Sequence, residues 1–282
     1  IDAQTGQSIY EYDLFSNEGI NGTVQMPSWK LPGNGIVAIA PDTIVYCQDL
    51  KLNVTGVGTV NTNSSGYYSI TVPNSGTYSV TAILDGPHCF ITPYFGDPSF
   101  YSGIASTSTN HNWTWQPGVV MSEDYFYNNQ FFVFNYMNMA WHEFNNKVSG
   151  FNSNHWYANK MEGIANNDGN GVNGSASGTL IRITMANHYG CSVLHEYSHN
   201  VIYQANGYWL GTNKWIDGRA MDEGLADYFS CSFRNDPIRY ASNRRLDTKM
   251  KYYSPGPPYD ATHEAHTRGQ IIGGACWDLA HK

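Results

Sequence analysis

The chain has 282 residues, of which 41% are hydrophobic and only 13% charged. That length suits one large domain or two modest ones, and that apolar share excludes wholesale disorder. Fifteen Lys and Arg against 23 Asp and Glu leave a net charge of −8, which disfavours a nucleic-acid partner. No apolar run approaches the roughly 20 residues that span a bilayer, so no membrane span is expected. Low charge, 21 Tyr and a start at Ile1-Asp2-Ala3 without Met favour an exported protein, extracellular or at the cell surface. Sequons at Asn21, Asn53, Asn63, Asn112 and Asn173 fit that location, although so Asn-rich a chain makes some by chance.

The chain changes character near residue 93. Before it, short β-type runs alternate with Gly, Asn, Ser and Pro. Strands are expected at Gly35–Ala40, Asp49–Val54, Tyr67–Val72 and Thr77–Leu84. Tyr68, Ile70 and Val72 alternate with polar neighbours, as do Tyr78, Val80 and Ala82, the period of a half-buried strand. Asn63-Ser64-Ser65-Gly66 and Pro73-Asn74-Ser75-Gly76 read as turns. Residues 35–92 are therefore expected to form a small antiparallel β-sandwich. The runs from Asn61 to Ile70 and Gly76 to Ala82 resemble the transthyretin-like or carboxypeptidase-regulatory-like modules of secreted proteins. Cys47 and Cys89, the two cysteines before residue 93, are expected to pair within this module.

Beyond it, residues 122–146 read as a helix, because Val133, Met137, Ala140 and Phe144 fall on one face. Thr179–Met185 reads as a strand. Cys191–Gln204, Met221–Ser232 and Gly269–Ala280 read as helices.

The chemistry is concentrated in His195-Glu196-Tyr197-Ser198-His199. Residues four apart share a helix face, so both imidazoles reach one metal ion, and Glu196, one step round, can deprotonate a metal-bound water. Asp222-Glu223-Gly224-Leu225-Ala226-Asp227 follows 23 residues after His199. Zinc in a hydrolase needs a third protein ligand and one open position. Glu223 can supply that ligand. Asp227, one turn on, can accept the free ring N–H of a zinc-bound His.

His-Glu-x-x-His followed by Glu-x-x-x-Asp resembles the gluzincin metallopeptidases, thermolysin and fungalysin among them. A metzincin would need a His at position 205, which is Ala205. The resemblance implies a zinc metalloendopeptidase in which His195, His199 and Glu223 hold Zn2+ and Glu196 is the general base. It implies that Asp227 pairs with His195, and Asp222 is placed to do the same for His199. His266-Thr267-Arg268-Gly269 is similar to the family's His-x-x-Gly segment, so His266 is expected to stabilise the oxyanion, with His263 as competitor and Asp260 to orient it. The family's Tyr beyond the motif helix corresponds to Tyr208, or to Tyr203. Its substrate-carbonyl Arg corresponds to Arg245, with Arg244 and Arg239 open. Asn173 and Ala176, ahead of the strand at 179–185, occupy the place of the edge strand that pins substrate. Asn167-Asp168-Gly169-Asn170 offers oxygens for Ca2+, without completing a known loop. Asp2-Ala3-Gln4-Thr5-Gly6 resembles the last strand of the superfamily's propeptide.

The expected fold is α+β: residues 1–34 as the end of a pro-region or linker strand, 35–92 as the β-sandwich, and 93–282 as a thermolysin-like two-lobed domain with a mixed β lobe and a helical lobe, the latter expected to lack part of its C-terminal end. The expected partner is a polypeptide substrate. An aminopeptidase on the same zinc site is the first alternative. A surface or assembly protein that keeps the fold for structural ends is the second.

Overall fold

A computed structural model describes residues 18–28, 43–94, 100–114, 123–149, 151, 160–167, 174–184, 190–206, 210, 216–240, 244–247 and 265–281. The expected strand at 35–40 and the Asp2–Gly6 segment lie outside these residues. The architecture is mixed α+β, with four helices and several sheets among the described residues. No helix there is long and apolar enough to cross a membrane.

Two sheets form the N-terminal part. In the first, β1 (Glu18–Ser28) is central. Its first half pairs antiparallel with β5 (Tyr67–Val72), its second half with β2 (Thr43–Tyr46), and β9 (Trp113–Thr114) joins it in parallel. The second runs in the order β4-β3-β6-β8 and is antiparallel throughout, from β3 (Lys51–Val54), β4 (Gly58–Asn61), β6 (Thr77–Ile83) and β8 (Phe100–Ser106). The alternation read from the sequence is the burial pattern. Tyr68 and Val72 from β5 and Val80 and Ala82 from β6 are buried and share one apolar core. The chain does not stay in these sheets until residue 92. Strand β7 (Cys89–Pro93) leaves for a third sheet, and β8, beyond that point, returns to pair with β6.

That third sheet has the order β11-β12-β10-β7, from β10 (Met161–Asn167), β11 (Gly174–Ser177) and β12 (Leu180–Thr184). Strands β7, β10 and β12 are parallel, while β11 is an antiparallel edge. Helix α1 (Glu123–Lys147) packs on β7 and β10, and α2 (Gly190–Asn206) packs on β11, β12 and α1. Val133, Met137, Ala140 and Phe144 of α1 are all fully buried, as their spacing requires. Phe144 stacks on Tyr197 of α2 and meets Phe229 and Phe233 of α3 (Ile216–Arg234), so one aromatic cluster locks three helices. A short ribbon of β13 (Ile238–Tyr240) and β14 (Arg244–Arg245) precedes α4 (Ala265–Ala280), which lies against α3.

Cys47 and Cys89 are free, buried thiols, which corrects the expected bridge. They share a segment of sequence but belong to different sheets. Cys47 is held under Thr62, whose hydroxyl donates to its carbonyl, and its own amide bonds Val24. Cys89 opens β7 with its sulfur over α1, 3.4 Å from Asn138 Oδ1. Burial pushes both thiols up, so they stay neutral and unreactive.

Helices α3 and α4 approach through glycine. A Cβ built on Gly224 would stand 2.2 Å from the carbonyl oxygen of Gly269, and one on Gly269 would stand 2.7 Å from the carbonyl of Ala220. Gly→Ala inside an exposed helix normally gains up to about 1 kcal/mol of propensity. Here the obstruction is backbone and cannot rotate away, so the clash outweighs that gain. Gly224→Ala is expected to lose about 1–3 kcal/mol in urea unfolding; an unchanged or raised midpoint would show that the helices separate without cost.

Candidate metal centre

Helix α2 is buried along its whole first three turns, from Cys191 to Ile202. Its polar residues are therefore inside the protein and must find partners there. Some serve structure. Ser198 donates to the Leu194 carbonyl, and Asn200 donates across to the Leu180 carbonyl of β12. Ser230 of α3 donates to the Cys191 carbonyl, fixing α3 against the start of α2.

The others converge. His195 is 2% exposed and His199 8% exposed. Their Nε2 atoms stand 3.0 Å apart. Glu223 of α3 brings Oε2 to 3.1 Å from His195 Nε2 and 3.5 Å from His199 Nε2. Behind them, His195 Nδ1 is 2.9 Å from Asp227 Oδ1, and His199 Nδ1 is 3.2 Å from Asp222 Oδ2. Those separations are the distances of close ion pairs. Both carboxylates stand where sequence spacing puts them, each behind its own imidazole.

This donor set fits a divalent metal. If each Nδ1 carries the proton toward its Asp, each Nε2 presents a lone pair. Two nitrogen lone pairs and a carboxylate oxygen then face one another in a buried space, an arrangement that repels unless a cation stands between them. Ligands at about 2.0–2.1 Å around a tetrahedral ion are about 3.3 Å apart. The observed separations of 3.0, 3.1 and 3.5 Å match that edge. Without a metal the same field acts on protons. Burial alone would lower His199, but Asp222 and Glu223 beside it prevail and hold it well above the ordinary imidazole value. Burial would raise Glu223, yet His195, His199 and His266 hold it far below the usual carboxylate range.

His266 reaches this cluster from the first turn of α4. Its Nε2 stands 3.0 Å from Glu223 Oε2, and its ring lies nearly parallel to that of His195 at 6.3 Å. His195, Glu223 and His266 together form a group that could hold a metal ion. With its side chain 32% exposed, His266 faces the open side. Sequence reasoning gave it a role beside the metal but not a contact with Glu223. That contact follows from the Gly224–Gly269 approach, since Gly224 adjoins Glu223 and Gly269 lies one turn from His266.

Glu196 is nearly buried and lies under the sheet edge: a Cβ on Gly174 would meet its Oε1 at 2.8 Å. Ala176, two residues further along β11, is half-buried and pairs with Ile181. Arg245 forks onto Asp247 at 2.9 and 2.6 Å in the β13–β14 ribbon. Its neighbour Leu246 packs at Gly273, two turns down α4 from His266. Tyr203 falls on the last turn but one of α2. Tyr208, Asp260, His263, Asn173 and the Asp168–Asn170 oxygens proposed for Ca2+ lie outside the described residues.

No known family model matches the chain, and a search of curated proteins finds no match.

Asp227 is fully buried, with Oδ1 2.9 Å from His195 Nδ1, on the opposite side of the ring from Nε2 and Glu223. Asp227→Ala is expected to weaken zinc binding about 10–100-fold in a chelator competition while leaving a measurable site. Complete loss of binding by a folded variant would make Asp227 a ligand instead.

Proposed function

We propose that the chain is a secreted zinc endopeptidase of the gluzincin type, with a mixed β lobe and a helical lobe meeting over α2. The observation that carries this reading is the convergence of His195, His199 and Glu223 in one buried space, each ring backed by its own carboxylate and with Glu196 alongside. Low charge and the sequons favour the exported location.

In this reading His195, His199 and Glu223 hold Zn2+. Zinc, when bound, supplies Lewis acidity that polarises the scissile carbonyl and lowers the pKa of water toward about 7. Glu196 takes a proton from the attacking water and passes it to the nitrogen of the leaving amine. The Gly174 backbone sits against that carboxylate and limits where it can swing. His266, on the open side, donates a ring N–H to the oxyanion, a contribution of about 10²–10³ in rate. The substrate backbone lies along the free edge of β11, pairing its amides beside Gly174 and Ala176 as an added strand. Asp222 and Asp227 hold the two ligand rings in the tautomer that leaves Nε2 free.

Casein hydrolysis that a chelator abolishes and zinc restores tests the activity. Glu196→Gln is expected to keep zinc and lose hydrolysis, because an amide accepts no proton. Loss of zinc with that change would make Glu196 structural. His266→Ala is expected to keep zinc and lower kcat/KM by about 10²–10³; zinc loss there would move His266 among the ligands. Cleavage confined to peptides with a free N-terminus would indicate an aminopeptidase. A zinc-loaded chain inert toward both would indicate a structural protein.

A further inference from the structure

A second histidine–carboxylate group lies apart from the one on α2. Asp49 sits in the turn between β2 and β3, His88 in the turn before β7, and His142 on α1. One ligand-type atom from each lies within 4.8 Å of the others. His142 Nε2 is 2.6 Å from Asp49 Oδ2, and His88 Nε2 is 3.8 Å from the same oxygen. We propose that Asp49, His88 and His142 form a second divalent transition-metal site, a clip that ties two turns of the β region to α1.

The geometry gathers three ligand-type atoms from three separate segments. Two imidazole nitrogens converge on one carboxylate oxygen, His142 at 2.6 Å, a hydrogen-bond distance, and His88 at 3.8 Å; an ion among them would part the first pair toward the roughly 3.3 Å edge of a tetrahedral site. The rings are fixed before any metal arrives. His88 stacks flat on Trp141, with centroids 3.4 Å apart and planes 9° apart, and meets His142 edge-on at 5.5 Å. Its backbone carbonyl accepts the Met161 amide at 3.0 Å, anchoring the turn to β10. The turns are pressed together as well: a Cβ on Gly86 would stand 2.6 Å from the Asp49 carbonyl. Asp49 itself holds a left-handed backbone, φ 63°, which places its side chain toward the histidines at some cost.

The neighbouring charges leave this group to itself. Asp85, the next carboxylate along, is paired with Lys51 and Lys160. Burial lowers the pKa of His88, with Asp49 opposing the shift and His142 adding to it. Imidazole and carboxylate together select a first-row divalent ion such as zinc. All three side chains are partly exposed, so water completes the coordination. An ion held by three segments distant in sequence binds the folded state alone and stabilises it.

The test uses the full chain and zinc alone. His195→Ala/His199→Ala removes the first centre. After zinc loading and dialysis, that variant is expected to retain about one zinc per chain and to melt at a higher temperature with zinc than without. Adding His142→Ala or His88→Gln is expected to abolish both the retained zinc and the thermal shift. Metal-free melting of the His88→Gln chain close to the parent shows that the fold survives. In the otherwise unmutated chain, His142→Ala is expected to lower zinc content by about one per chain. Zinc retained unchanged after His88 or His142 is replaced overturns the proposal, and so does a folded His195→Ala/His199→Ala chain that holds none. Failure of the first centre has a different signature: the unmutated chain then carries a single zinc, which His142→Ala removes.

Discussion

Two imidazole nitrogens and a carboxylate oxygen meet within 3.5 Å of one another in the interior of this protein, and the surrounding structure is organised around holding them there. Lone pairs do not gather in a low-dielectric space unaided. The cost is offset by position. Each imidazole has a carboxylate behind it, and each carboxylate comes from the helix that also carries Glu223. Helix α3 therefore supplies Glu223 and both of the carboxylates that face the two imidazoles. Any displacement of α3 along or away from α2 would disturb all of these contacts together. The Phe144–Tyr197–Phe229–Phe233 cluster and the Ser230 bond to the Cys191 carbonyl are what prevent it.

The parts that were legible in the sequence are those set by a single helix. His195 and His199 share a face because four residues are one turn, and Glu223 and Asp227 share theirs for the same reason. Side-chain length separated the role of Glu223 from that of Asp227, while the pairing of Asp227 with His195 came from the resemblance to the gluzincins. Of the strands in the β region, β3, β5 and β6 were legible from composition and alternation, while β1, β2, β4, β8 and β9 were not. What could not be read was where the chain goes between elements. Nothing in Cys89-Phe90-Ile91-Thr92-Pro93 distinguishes a strand that stays with β6 from one that leaves to pair with β10. The same ambiguity underlies the expected Cys47–Cys89 bridge: Cys47 follows β2 and bonds Val24 of β1, whereas Cys89 opens β7 in the third sheet.

The Asp49–His88–His142 group illustrates that limit from the other side. No local spacing joins these residues, which lie in two turns and a helix. Only the pressing of the turn at Gly86 onto Asp49, and of Trp141 onto His88, brings them together. The sequence carries only a weak trace of it, the His142 that follows Trp141 on α1.

Burial around the principal centre is uneven, and the unevenness carries the chemistry. His195 and Asp227 are closed off, while His266 has a third of its side chain open. Among the described residues, the exposed side of the cluster is the one that carries His266. Gly174 lies against Glu196 so closely that even a methyl group would strike the carboxylate. Among the described residues, β11 is the edge of its sheet and runs past Glu196, which forms no ion pair with an imidazole there. An extended peptide pairing with that edge would carry its own carbonyls past Glu196 in fixed register, two residues apart on each face. The strand would select the bond and the helix would supply the proton acceptor. In such an arrangement positioning comes from backbone geometry, so preference among substrates is left to the side-chain environment that flanks the edge.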